Sequence, residues 1–366
     1  MSAADDALTS VLETGRARAA ALGPSYQLLW DSLADACTGG RRFRPALLAR
    51  THEALGGRLA GPVAEVAAAV ELLHAAFVIH DDVIDRDDIR RGRPNVSGTF
   101  AATAAAAGAG PERIRAYADT AGILAGDLAL VAAARTVASC GAPASIVESL
   151  LDLLETTVHA TAAGELADVE LGLGLTEQPL PLGEIITVGE HKTAVYSFQL
   201  PLQAGALLAG ADDDVVDALR EVGRLLGIGF QLVDDLKGVF GEPDRTGKDR
   251  LGDLREGKYT ALIAHARSTS AWSALAPLVG DRNLDEAGAA QARALLTSCG
   301  SRRFVHELAT DYLAAATRRA AEADLPLRLV ERFAELGEEI LDDLDPAPRS
   351  SASRSRSHPA AMSMDA

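Results

Sequence analysis

Two acidic segments are the residues best placed to do chemistry. The first is His80-Asp81-Asp82-Val83-Ile84-Asp85, continuing to Asp87 and Asp88, and the second is Phe230-Gln231-Leu232-Val233-Asp234-Asp235. Asp81 and Asp85 are four apart and share one face of a helix, with Asp82 about 100° from Asp81. Each cluster closes an apolar run, where neighbouring carboxylates repel one another unless cations lie between them. Hard divalent metals serve that purpose, and magnesium favours one or two carboxylates completed by phosphate oxygens and water. The chemistry expected is a magnesium–phosphate site clamped between two helices.

Cations stand where such a site needs them. Arg90 and Arg91 follow the first cluster, and an arginine fork suits the outer oxygens of a metal-bridged polyphosphate. Only Lys192, Lys237, Lys248 and Lys258 are lysines among 35 basic residues. In so arginine-biased a chain, a retained lysine marks a place that needs a compact ammonium. Three of them adjoin glycine or threonine, in His191-Lys192-Thr193, Gly247-Lys248 and Gly257-Lys258-Tyr259-Thr260.

The elements that position these groups read as helices. Apolar residues recur at helical spacing along most of the chain, with few period-two runs, so the fold class expected is all-α. A helix from about Pro62 to Asp85 delivers the first cluster at its C-terminal end, whose negative partial charge makes bare aspartates doubly unfavourable. Asp212, Asp213 and Asp214 cap a helix leading to the second cluster. The tract Ala101 to Pro111 reads as a flexible connection, and its alanines could also make it a short helix; loops are expected from Gly172 to Gly183 and from Gly241 to Lys258. Residues 1–22 are expected as a polar, partly disordered segment and 346–366 as a disordered Arg/Ser/Pro tail. Between them, residues 23–345 are expected to form one helical domain.

Composition narrows the function. A formal charge of −17 argues against a nucleic-acid partner. Three widely spaced cysteines, Cys37, Cys140 and Cys299, make neither a disulfide framework nor a metal cluster, which suits a reducing cytoplasm. No signal peptide is apparent, and no uninterrupted apolar run reaches a membrane span.

Taken in order, the motifs resemble those of the trans-isoprenyl diphosphate synthases of the polyprenyl synthetase family, which includes farnesyl and geranylgeranyl diphosphate synthases. The likeness runs from Gly39 to Lys258. It rests on Gly39-Gly40-Arg41-Arg42-Phe43-Arg44-Pro45, the DDxxD with Arg90-Arg91-Gly92, Ala125-Gly126-Asp127, Lys192-Thr193, the FQxxDD at 230–235, and Gly247-Lys248 through Asp253 to Gly257-Lys258. One DDxxD alone is a weak signal; six ordered motifs are a strong one.

The resemblance implies a helical bundle around a deep central cavity, a homodimer, and head-to-tail condensation of isopentenyl diphosphate with dimethylallyl, geranyl or farnesyl diphosphate. It implies that Asp81, Asp82, Asp85 and Asp234, with Asp235 behind, hold three magnesium ions once substrate is bound. Arg90, Lys192, Thr193, Gln231, Lys248 and Lys258 are implied for the allylic diphosphate, and Lys192 and Thr193 for the developing cation. Arg41, Arg44, His74 and Arg91 are implied for isopentenyl diphosphate. Three departures stand out: Arg41 replaces the usual lysine, Glu165 follows Gly164 where glutamine is common, and Gly238 replaces the last aspartate of the second DDxxD.

Product length in the family depends on side chains below the first aspartates. One helical turn is about 5.4 Å, so Phe77, Ala76 and Leu73 are expected to act as a ruler. Phe77 opposes very long products, and geranylgeranyl diphosphate is the product expected, with farnesyl diphosphate second. A class I terpene cyclase would need an Asn/Ser/Glu metal triad in place of Asp234-Asp235. A metal phosphohydrolase built on His74 or His52 with His80-Asp81 leaves the lysines and arginines unexplained. A non-catalytic subunit of a heteromeric synthase would be expected to lose acidic residues, and this chain keeps the first motif whole.

Overall fold

A computed structural model describes residues 2–175, 180–241 and 251–344 of the 366. Lys248 and the tail 346–366, both named above, lie outside the described residues. Within them, the fold is a bundle of α-helices with one two-stranded hairpin.

The centre is α4 (Ala60–Ile84), which ends at the first acidic cluster. It is apolar on nearly every side and correspondingly buried, with Leu72, Leu73, Ala76 and Ile79 almost fully enclosed. It packs on α6 (Pro111–Ala138), α1 (Ala3–Ala19) and α3 (Phe43–Ala54). The second acidic cluster sits near the end of α10 (Asp213–Phe240), which begins after Asp212 as expected. That helix anchors a second half of the core with α15 (Ser301–Glu322) and α16 (Leu327–Asp342). The two clusters therefore face each other from separate halves of the core.

One expectation needs correction. Residues 3–19 are not a disordered lead but a helix, α1, closed by a reciprocal Ser2–Asp5 capping box. Leu8, Leu12, Gly15 and Ala19 form its narrow buried stripe, too sparse among polar neighbours to stand out in sequence. Of the two readings of the tract from Ala101, the short helix is the one observed: α5 (Val96–Ala106) runs into it, capped by the Asn95 side chain accepting from Gly98 N at 2.8 Å, and alanine supplies the propensity. Charged residues interrupt both α4 and α6, so neither is an uninterrupted apolar run, yet each is long and apolar enough overall to span a membrane. The most apolar window of α4 is 67% buried inside the fold, which marks it as a core helix; that of α6 is only 44% buried.

Between α7 (Ala144–Gly172) and α10 lies a π-helical segment, Glu190–Gln199, that periodicity did not foretell. It follows α8 (Leu182–Gly189) and continues into α9 (Leu200–Ala209). Glycines on both sides let it approach. A Cβ on Gly164 would strike the backbone of His191 and Lys192, and one on Gly227 would overlap Ala194. Such π segments cluster at functional sites, and this one carries Lys192 and Thr193.

Candidate active site

The first cluster forms because α4 ends there and the chain turns back through a tight hairpin. Ile89–Arg90 pairs antiparallel with Arg93–Pro94, and both turn residues, Arg91 and Gly92, have positive φ, the geometry of a two-residue hairpin turn. This fold-back returns Arg90 to the carboxylates. Its Nε donates to Asp82 Oδ1 at 2.7 Å, and its Nη2 reaches Asp81 Oδ2 at 3.3 Å. Burial pushes Asp82 up to about 6 against the pull of Arg90. Asp85, at the C-cap of α4, is also raised to about 6 by desolvation and by Asp81.

Lys192 enters from the π segment and meets carboxylates from two helices. Its Nζ lies 2.7 Å from Asp168 Oδ2, 3.1 Å from Glu165 Oε1 and 3.4 Å from Asp81 Oδ1. Burial opposes its charge, but these three acids outweigh burial and keep it protonated. Glu165, the residue that departs from the family's glutamine, thus adds negative charge to the lysine's cage. Asp168 was not among the expected site residues. Its signal was legible, since it follows Glu165 by three and shares its face on α7.

Opposite, Asp234, Asp235 and Gln231 line the same cavity from α10. Gln231 Nε2 donates to Asp235 Oδ1 at 2.8 Å, so in this state it serves the aspartate rather than an open subsite. Asp235 keeps a strip of surface toward the cavity but is otherwise surrounded by protein, and that desolvation, with Asp234 and Asp253 nearby, pushes it up to about 8. Lys258 is held between Glu256 at 3.3 Å and Asp253 at 3.8 Å. These acids and Asp85 keep it charged despite burial.

The cavity between the two clusters has a volume of about 920 Å³ and runs down past Phe77, Leu130, Val158 and Tyr196. Phe77 stands edge-on to Tyr196, with ring centroids 5.1 Å apart. Of the three expected ruler residues, only Phe77 reaches the wall. Leu73 and Ala76 are sealed in the core, because α4 turns those positions toward its neighbours.

A second cavity of about 590 Å³ adjoins the first and shares Arg44, His74, Arg90, Arg91 and Asp234 with it. It brings the four residues expected at a second diphosphate together. Arg44 is buried, bonded to Ser197 Oγ at 2.9 Å and stacked on Phe43 and Tyr196. His74 stacks on Tyr196, and its buried Nδ1 has no hydrogen-bond partner among the described residues. Desolvation and the surrounding arginines hold His74 neutral, well below the usual histidine range. Arg91 lies over Gly39 and Gly40, whose positive φ values let the loop fold under it. Arg41 lies at the rim, where Asp343 at the end of α16 takes its fork at 2.8 and 3.0 Å. Arg42, between the two, instead ties the loop to Glu71 and the Cys37 carbonyl.

One cavity ringed by acids and lysines joined to one lined by arginines is the arrangement for bringing two diphosphates together. The polyprenyl synthetase family model matches residues 27–296. The chain belongs to the polyprenyl synthetase family. It is 36% identical over 275 residues to a geranylgeranyl diphosphate synthase of Methanosarcina mazei, covering 75% of this chain and 77% of that one. A (2E,6E)-farnesyl diphosphate synthase of Mycobacterium bovis is 31% identical over 87% of this chain and 84% of its own. Among solved structures, a geranylgeranyl pyrophosphate synthase from Corynebacterium glutamicum, complexed with isoprenyl diphosphate and magnesium, superposes with a TM-score of 0.85. It is 29% identical, and the match covers 93% of this chain and 97% of that one. The protein is therefore an all-α prenyltransferase, a short-chain prenyl diphosphate synthase.

The donor set of the synthase fits magnesium. The acids are hard oxygen ligands, and three of them are held near or above neutrality by burial and mutual repulsion. Among the described residues no three acidic, histidine or cysteine side chains form a ready cage. Magnesium takes one or two carboxylates and completes its shell from phosphate oxygens and water.

Proposed function

We propose that this synthase condenses isopentenyl diphosphate with dimethylallyl, geranyl or farnesyl diphosphate, with magnesium, to give geranylgeranyl diphosphate. The observation that carries the reading is the pair of adjoining cavities sharing Arg44, His74, Arg90 and Arg91. Asp81, Asp82, Asp85 and Asp234 would hold three magnesium ions with the allylic diphosphate bound. The metal supplies Lewis-acid stabilisation of the departing diphosphate.

The chain's own residues supply the remainder. Arg90, Lys192, Gln231 and Lys258, with Lys248, orient the allylic diphosphate and neutralise its oxygens. Substrate must take Arg90 and Lys192 from the aspartates that hold them, which releases those carboxylates for cations. The apolar wall below, with Phe77, Val158 and Tyr196, keeps water from the allylic cation. Lys192 and Thr193 flank its upper end. Arg41, Arg44, His74 and Arg91 seat isopentenyl diphosphate, with the neutral imidazole donating or accepting through its partnerless nitrogen.

Two relatives named as geranylgeranyl diphosphate synthases support the twenty-carbon product. Farnesyl diphosphate is the second reading, supported by the 31% identical farnesyl synthase and by Phe77 on the wall. Free thiols at Cys37, Cys140 and Cys299 support a cytoplasmic enzyme, and the exposed apolar face of α6 supports a homodimer.

Purified protein incubated with magnesium, isopentenyl diphosphate and each allylic primer tests the reading, with chromatography of the dephosphorylated products. A twenty-carbon alcohol is expected. No elongated alcohol from any primer would overturn the assignment, and a fifteen-carbon end point would select the second reading.

A further inference from the structure

The second acidic cluster lacks its third carboxylate in sequence, yet a carboxylate from elsewhere in the chain occupies that place in the fold. Gly238 follows Asp234 by four, so its Cα–Cβ direction shares the aspartate's helix face. A Cβ built on Gly238 would overlap the Asp253 carboxylate, with Oδ2 the nearest atom. Asp253 comes from α11 (Gly252–Glu256), a short helix, and it lines the same cavity as Asp234 and Asp235. The glycine is therefore more than a lost ligand: it is the space a carboxylate from elsewhere occupies. Gly257, with φ of 69°, ends α11 one residue before Lys258, so the turn that delivers Asp253 also delivers the lysine.

We propose that Asp253 is the third carboxylate of the second cluster, supplied from α11 into the space left by Gly238, where it would help to hold a divalent cation brought in with diphosphate. This rests on the metal–diphosphate reading above. Asp253 acts through the cation's shell and through Lys258, 3.8 Å away, and is a positioning residue. The arrangement keeps the number of acids at three while moving one of them onto an element that also carries a substrate-binding lysine.

The test is a residue swap read by binding. Inorganic pyrophosphate affinity is measured calorimetrically on the full chain over a magnesium series for wild type, Asp253→Asn, Asp253→Ala, Gly238→Asp and the double variant Gly238→Asp/Asp253→Ala. Magnesium-dependent pyrophosphate binding by wild type tests the underlying reading by itself. Asp253→Asn is expected to weaken binding about tenfold at low magnesium and to recover as magnesium is raised. Gly238→Asp alone should bind worse, because its side chain meets Asp253. The double variant should bind within about threefold of wild type, a non-additivity that only a shared position produces. A loss in Asp253→Asn that is equal at every magnesium concentration would overturn the proposal and leave Asp253 as a partner of Lys258 alone. So would a double variant no better than the sum of its parts, with ligand-free melting curves confirming that each variant is folded.

Discussion

At the scale of single residues, the site stores carboxylates in a form that favours incoming cations. Asp82 and Asp85 lie at about 6 and Asp235 at about 8, all above the ordinary 3.8. Between about pH 4 and about pH 8 the folded chain therefore holds more protons than the unfolded one, and its contribution from these groups falls as pH rises. Metal-bound diphosphate needs the same groups ionised, so its binding releases protons and strengthens with pH. The melting-temperature gain from magnesium with inorganic pyrophosphate is expected to grow between about pH 5.5 and about pH 8.5. A gain independent of pH would show that these acids do not meet the metal. Phe77 makes a second residue-scale prediction. It is the one expected ruler residue on the cavity wall, held edge-on to Tyr196, and Phe77→Ala opens about one more turn of depth. Products should lengthen by one isoprene unit or more in the chromatographic assay, whereas Ala76 and Leu73, sealed in the core, should chiefly affect stability.

At the scale of elements, the π segment Glu190–Gln199 aims Lys192 at three carboxylates, and it does so because α7 and α10 present glycines to it. Gly164→Ala would drive a methyl into the Lys192 backbone. Overpacking of that kind costs about 1–3 kcal/mol, and here it also shifts the lysine. Urea unfolding should show the stability loss, and kcat should fall by more than KM rises if Lys192, as proposed, acts on charge that develops in the reaction. A stable variant with unchanged kcat would show that the segment tolerates displacement. Sequence made the two acid-bearing helices plain because α4 is continuously apolar and then abruptly acidic, and because α10 has an acidic cap and a strong apolar face. The four residues of the second pocket, Arg41, Arg44, His74 and Arg91, were likewise reachable from ordered motifs. The π segment was hidden, because its extra residue per turn follows from packing against Gly164 and Gly227, distant in the chain. The Asp253 position was hidden for the same reason: only the fold brings residue 253 against residue 238. The helix α1 was missed because four small or apolar residues suffice when a large apolar neighbour such as α4 completes the interface.

At the scale of the whole molecule, one surface is unfinished. On α6, Leu124 and Val131 are 48% and 67% exposed; with Tyr117 they are spaced by seven and share a face, and Ile123 lies beside them, also 48% exposed. Exposed apolar faces of this kind mark association sites more often than open surface. The same side of the molecule closes the elongation cavity, since Leu130 of α6 and Val158 and Leu166 of α7 line it. Leu166 is itself 62% exposed. A second copy seated on α6 would complete that wall and shield an allylic cation from water, linking assembly to catalysis. Wild type is expected to sediment at twice the 38.1 kDa chain mass, and the double substitution Leu124→Glu/Val131→Glu should shift it toward the monomer, because two desolvated carboxylates per face oppose closure. Loss of the partner should lower elongation and release more short or hydrolysed product, with substrate diphosphate still bound through Lys192, Lys258 and the arginines. A wild-type monomer at micromolar concentration with full elongation would show that the cavity is sealed within one chain.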